Sequence, residues 1–374
     1  MQVNPQLRKK SRTLLTFAAM TLLVLLAITV QGYAQKYTTF NVPGAGAGAQ
    51  QGTMSIGVNA RGSIVGQYMD AKNVYHGFLR KPNGKFITFD PAGSTGTWAY
   101  ALNNTDVVAG WYADAGNVCH GYVRDANGAM AIFDPPDAGK SAGQGTWPAD
   151  INDLGTIAGY YVDQSDVLHG FVRDASGNFT SFDAPGAGRG PGQGTEPMYF
   201  SALNPMGWIT GLYVDANNAV HGFLRAPDGL IKSVDVLGAG TGAGQGTEPY
   251  SINQWQEITG PYIDGNGVYH GFVRNSDGLI TTFDVARAGT GAGQGTIPET
   301  NSRHGVITGN YIDSNWVNHG FLRGSPAGII TTFDAPGAGT RPSQGTFPMS
   351  NNRKGQIAGY FIDASGVYHG FIRQ

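Results

Sequence analysis

An all-β fold is predicted, a seven-bladed β-propeller with four antiparallel strands per blade, and three observations carry it. The tripeptide His-Gly-Phe/Tyr recurs seven times, at His76, His120, His169, His221, His270, His319 and His369. Each copy sits among short β-branched and aromatic runs bounded by Gly, Asn, Asp and Pro, and no apolar helical period is found after residue 34. The chain ends in complementary fragments: the last copy stops at Arg373-Gln374 after its third strand, while Tyr37-Thr38-Thr39-Phe40-Asn41 reads as a lone fourth strand. The N-terminal strand is therefore expected to complete the last blade. Closing a ring in this way removes the exposed sheet edges that an open stack would leave.

Four strands are expected in each repeat of about 49 residues. The first precedes a recurrent Asn, as in Tyr250-Ser251-Ile252-Asn253; Ser302 replaces that Asn once. The second is exemplified by Ile157 to Asp163, the third by Val268 to Arg274 and the fourth by Ile280 to Asp284. Between the second and third strands, Asn73, Asn117, Asp166, Asn218, Gly267 and Gly366 suit the left-handed position of a three-residue hairpin loop. Trp316 does not, and a locally different turn is expected there. The hairpin register places Gly359 opposite Phe371 and Phe361 opposite His369, with equivalents in each repeat. A large ring covering a strand glycine is a known device of sheets.

Composition narrows function more than it defines it. Of 374 residues only 13% are charged, 58 are Gly, and the net charge is −2. A strongly basic nucleic-acid binder, a coiled coil and a collagen are excluded. Arg8, Lys9, Lys10 and Arg12 precede an uncharged stretch from Leu14 to Val30 and then Gly32-Tyr33-Ala34. These read as a secretory signal over 1–34, cut after Ala34, leaving a propeller over 35–374. The rival is an uncleaved anchor, the only membrane association expected. A secreted monomer, periplasmic or extracellular, is the expectation. The single cysteine, Cys119, can form no intrachain disulfide and reads as a small buried hydrophobe.

An Asp stands six residues before each repeated His: Asp70, Asp114, Asp163, Asp215, Asp264, Asp313 and Asp363. Seven equivalent Asp/His pairs on separate blades cannot share one metal, because zinc ligands must all lie about 2.0–2.3 Å from the ion. They read as structural groups fixing loops, and so do the repeated Arg residues, Arg80 to Arg373, four after each His. No catalytic residue, metal site or cofactor is expected from them. The glycine-rich loops such as Pro185 to Thr195 lack a following helix, and Asp264-Gly265-Asn266-Gly267 lacks the further acids of a calcium loop.

Specific function is then expected where repeats differ. The residue after each Gly-Thr is Met54, Trp98, Trp147, Glu196, Glu248, Ile297 or Phe347, a candidate ligand-binding rim on the loop face. The same side chains could simply plug the channel. Extra residues at Met198, Tyr199 and Phe200 distinguish the fourth repeat. Unrepeated acids, Glu196, Glu248, Glu257 and Glu299, would favour an enzyme if they lined one cleft, since glycoside cleavage needs two carboxylates at a set separation.

Ile151-Asn152-Asp153-Leu154-Gly155-Thr156-Ile157-Ala158-Gly159, followed by Leu168-His169-Gly170-Phe171, resembles the bacterial extracellular HAF repeat family, with Gly in place of the Ala of His-Ala-Phe. The resemblance spans nearly all of 37–374. It implies an exported, propeller-like repeat protein and brings no reaction with it. The expected function is a non-enzymatic binding or scaffold module for a glycan or surface-protein partner. A polysaccharide-acting lyase or hydrolase is the alternative, and a purely structural surface protein is a third reading.

Overall fold

The computed structural model describes residues 35–197 and 201–374; the expected leader 1–34 and Met198, Tyr199 and Phe200 lie outside the described residues. Among the described residues every regular element is a β-strand. In the first repeat Gly52–Val58 pairs with Ile64–Met69, that strand with Tyr75–Arg80, and that one with Phe86–Phe89, all antiparallel. The same order recurs through the chain. Tyr37–Phe40 pairs antiparallel with Tyr368–Arg373, Thr39 facing Phe371, so the two ends of the described chain meet in one sheet.

The hairpin register agrees with the sequence reading. Gly66 faces Phe78, Gly159 faces Phe171 and Gly359 faces Phe371, and Tyr68, Tyr161 and Phe361 face the respective histidines. Phe78, Tyr122, Phe171, Phe223, Phe272, Phe321 and Phe371 are all completely buried. Burial of each such ring contributes about 1.5–3 kcal/mol. The turn at Trp316 corrects the expectation. Its φ is 65°, against 64° at Asn73 and 64° at Asn218, and its amide bonds the Asp313 carbonyl at 3.0 Å as its equivalents do. Asp313 Oδ1 also accepts from the Asn315 and Val317 amides, at 2.8 and 2.9 Å. These bonds and the fixed strand register impose the left-handed geometry on a residue that would not choose it.

The glycine of His-Gly-Phe has its own reason. A Cβ on Gly77, Gly121 or Gly170 would come within 2.5–2.6 Å of the ring of Phe89, Phe133 or Phe182 on the fourth strand. Phe40 covers Gly370 in the same manner, although it comes from the other end of the chain.

Two ladders join neighbouring repeats. The repeated Arg lies over the fourth-strand Phe of the preceding repeat: Arg124 over Phe89 at 5.0 Å, Arg173 over Phe133 at 4.7 Å and Arg373 over Phe333 at 4.3 Å. Arg80 lies over Phe40 at 4.7 Å, which ties the first repeat to the last. The second ladder is a belt of asparagines at the end of the first strands. Asn59 Nδ2 donates to the Asn103 carbonyl at 3.0 Å, Asn204 to that of Asn253 at 3.1 Å, and Asn253 to that of Ser302 at 3.3 Å. Asn352 donates to the Asn59 carbonyl at 2.9 Å. Ser302 carries no amide and ends the series between the sixth and seventh repeats.

A β-bulge interrupts the first strand, as between Ser55 and Gly57, Ala99 and Ala101, and Pro298 and Thr300. The extra residue, Ile56, Tyr100 or Glu299 in these cases, is turned out of the ladder. In the third, sixth and seventh repeats a proline, Pro148, Pro298 or Pro348, stands at the bulge.

Candidate functional site

Three regions of the fold could carry function. The first is the loop face, where the second strand ends and the hairpin turns. Asp70 Oδ1 accepts from the Lys72 and Val74 amides at 2.8 and 2.9 Å, fixing the turn. His76 follows on the third strand, its Nδ1 2.7 Å from Asp90 and its Nε2 3.6 Å from Asp70. The imidazole thus stands between two carboxylates and stacks on Tyr68 with ring centroids 5.0 Å apart. The arrangement recurs at His120, His169, His221, His270 and His319. In the last repeat Asn41 takes the second carboxylate's place, 3.0 Å from His369 Nδ1.

The electrostatics follow from these contacts. The Val74 amide, with that of Lys72 and His76 adding to it against burial, holds Asp70 below the usual carboxylate range. Hydrogen bonding to Asp183, opposed by burial, raises His169, and Asp334 does the same for His319. Beside these trios lie clefts. One of about 590 Å³ runs between Asp163, His169 and Asp183 and the loop from Ala184 to Arg189. Another of about 290 Å³ occupies the equivalent place beside Asp114, His120 and Asp134 and ends at Lys140. Among the described residues no three His, Cys, Asp or Glu side chains converge as a metal site.

The second region is the start of the first strands. Trp98 stacks on its cross-strand neighbour Trp111 at 3.9 Å, Trp147 on Tyr160 at 5.2 Å, and Phe347 on Tyr360 at 4.9 Å. Tyr75 adds to Trp98 at 5.0 Å. These rings are half-buried and stacked on one another. Met54 is buried, and Ile297 half-buried. Glu196 is buried and hydrogen-bonded to Tyr160, whereas Glu248 accepts from the Tyr250 hydroxyl at 2.8 Å. The structure thus puts aromatic residues on the second, third and seventh repeats and carboxyls on the fourth and fifth.

Glu299, carried by the bulge of the sixth repeat, joins those carboxyls. Burial, with the charge of Glu248 adding to it, pushes Glu299 up to about 8 and Glu196 up to about 7. Burial also raises Glu248. Glu257 is not among them: it accepts from the Asn253 side chain at 2.6 Å in the belt turn. Cys119 is buried, and desolvation together with Asp114 and Asp134 pushes its thiol up to about 12, so it holds no thiolate at neutral pH.

The third region went unnoticed in the sequence. At the asparagine belt, residues of all seven repeats line a cavity of about 390 Å³, within the range of small-molecule sites. Asp150, Asp153, Arg303 and Arg353 are its charged residues. Burial pushes Asp150 up to about 7 although the Leu203 and Ile151 amides bond it. The signal was present in the sequence: the residue after each belt position varies, being Ala60, Asn104, Asp153, Pro205, Gln254, Arg303 or Arg353.

No family model and no curated protein sequence matches this chain. Solved structures do. A streptogramin B lyase superposes with a TM-score of 0.56 at 12% identity, over 91% of this chain and 98% of that one. The BP39L lectin from Burkholderia pseudomallei gives 0.54 at 10% identity, over 83% and 92%. At such identities the likeness shows architecture only. The chain is an all-β protein of propeller type.

Proposed function

We propose that residues 35–374 form a closed seven-bladed propeller, exported after loss of 1–34, that binds glycans on its loop face without chemical turnover. Closure is supported by the pairing of Tyr37–Phe40 with Tyr368–Arg373 and by the Asn352-to-Asn59 bond. The HAF-like repeat is consistent with export. The observation that carries glycan binding is the recurrence of equivalent loop-face clefts in neighbouring repeats, each offering carboxylates, an imidazole and one cation, Lys140 or Arg189. Carboxylates and imidazoles suit vicinal sugar hydroxyls, which both donate and accept. Repetition around one face gives avidity for a repetitive polymer.

The test is a glycan array probed with the purified protein, followed by titration of any hit. Saturable binding that weakens at least tenfold in Lys140→Gln plus Arg189→Gln supports the reading. Binding that survives this change but is lost in Trp98→Ala plus Trp147→Ala moves the site to the first-strand rim. No binding to any glycan defeats it. The enzymatic alternative has one observation in its favour: burial raises Glu299 to about 8 and Glu196 to about 7, with Glu248 adding to both, the direction a general acid requires. Release of new reducing or unsaturated ends from a polysaccharide, abolished in Glu299→Gln, would establish it.

A further inference from the structure

We propose that the cavity at the asparagine belt is a second binding site, on the face opposite the loops, and that it takes a small sugar acid whose carboxylate lies between Arg303 and Arg353. Both arginines line the cavity from adjacent repeats, at the same turn position, and both are exposed. Neither makes a side-chain hydrogen bond or ion pair among the described residues, in a protein where most other repeated polar groups are paired. Two unpartnered guanidiniums carried at the same turn of adjacent repeats offer donors to an oxyanion.

The opposite wall carries the other sign. Asp150 and Asp153 belong to the third repeat, three steps along the belt from both the sixth and the seventh. Asp153 is already engaged: its two oxygens accept from the Asn104 amide and Asn104 Nδ2, both at 2.8 Å. Both Asp150 oxygens likewise accept backbone amides. These carboxyls keep lone pairs for a donor but have spent much of their pull on a full positive charge. Between the walls the uncharged lining mixes hydrogen-bonding groups, Gln254 and the belt asparagines, with apolar side chains such as Leu102 and Ile252. The cavity therefore asks for a negative group at one end and hydroxyl donors at the other. Its volume of about 390 Å³ exceeds what one inorganic anion fills and suits one or two sugar rings. A hydroxylated carboxylate meets all three demands.

Isothermal titration of the purified protein with galacturonate, glucose, glycine and inorganic phosphate tests this. Galacturonate should bind saturably and at least tenfold more tightly than the other three. In Arg303→Gln plus Arg353→Gln its affinity should fall at least tenfold with the thermal midpoint unchanged, because neither side chain supports the fold. The loop-face pair Lys140→Gln plus Arg189→Gln should leave galacturonate binding intact. Equal binding of phosphate reduces the site to a non-selective anion patch, and equal binding of glucose or glycine removes the carboxylate or hydroxyl argument; each overturns the proposal. So does an absence of galacturonate binding, or its loss in the loop-face variant alone. The proposal is independent of the loop-face reading, and either can fail without the other.

Discussion

The belt of asparagines can be broken and mended one link at a time. Asn204 is 1% exposed; its Oδ1 accepts from the Met206 and Trp208 amides at 2.9 and 3.0 Å, and its Nδ2 reaches the next repeat. Ser302 shows what a hydroxyl retains there: bonds from the His304 and Val306 amides at 3.2 and 3.1 Å, with no link onward. Asn204→Ser should therefore lose only the inter-repeat bond, about 1 kcal/mol, and Asn204→Ala all three, about 3 kcal/mol. Ser302→Asn should restore the missing link and gain about 1 kcal/mol. With an unfolding entropy near 2.1 cal/mol/K per residue, a unit of this size shifts about 1.4 °C per kcal/mol. Differential scanning calorimetry should then order the proteins as Ser302→Asn, native, Asn204→Ser, Asn204→Ala, from highest to lowest midpoint. If Asn204→Ser melts with the native protein while Asn204→Ala falls, the inter-repeat bond carries no stability and the belt reasoning is wrong.

Other outcomes follow from individual contacts. Stability should fall between pH 5 and pH 8. The raised His169 and His319 stabilise fully below about 6.5 and lose that contribution as pH passes their folded values, while Glu299, Glu196 and Asp150, raised to about 8, 7 and 7, lower stability as the unfolded chain ionises and they do not, the full penalty being reached at those folded values. Urea midpoints at the two pH values check this, and Glu299→Gln should shrink the difference; an unchanged difference refutes the assignment. Gly194→Ala should cost at least about 3 kcal/mol, since its φ is +126° and a Cβ would sit against the Leu168 carbonyl; a near-native midpoint would contradict the inter-repeat geometry. Phe133→Leu should lose both the cover over Gly121 and the Arg173 contact, about 2 kcal/mol by denaturant titration. A cost below about 0.5 kcal/mol would discount that ladder.

Much of this architecture was legible because it is periodic. The fixed separation of Asp, His and Arg, the pairing of Gly359 with Phe371, and the orphan strand Tyr37–Phe40 all follow from alternation and hairpin register. Contacts between repeats were not legible, since no local pattern says that Arg173 will lie over Phe133 or that Asn352 will reach Asn59. The bulge escaped for a related reason. A proline stands at it in the third, sixth and seventh repeats, as Pro148, Pro298 and Pro348, but not in the first or second, so no shared local pattern marks it. At the rim, the repeat pattern locates Trp98 and Trp147 but does not say that Trp111 and Tyr160 on the neighbouring strand stack on their rings. Trp316 was misread because residue preference was weighed above the carboxylate of Asp313 that pins its turn.

Hydrogen exchange of the N-terminal strand measures closure most directly. If Tyr37–Phe40 is zipped to Tyr368–Arg373, a peptide spanning 37–41 will exchange as slowly as one spanning 330–334, the equivalent outer strand of the preceding repeat. Exchange of 37–41 at the rate of an unfolded chain, with 330–334 protected, would show an open sheet edge and contradict the account.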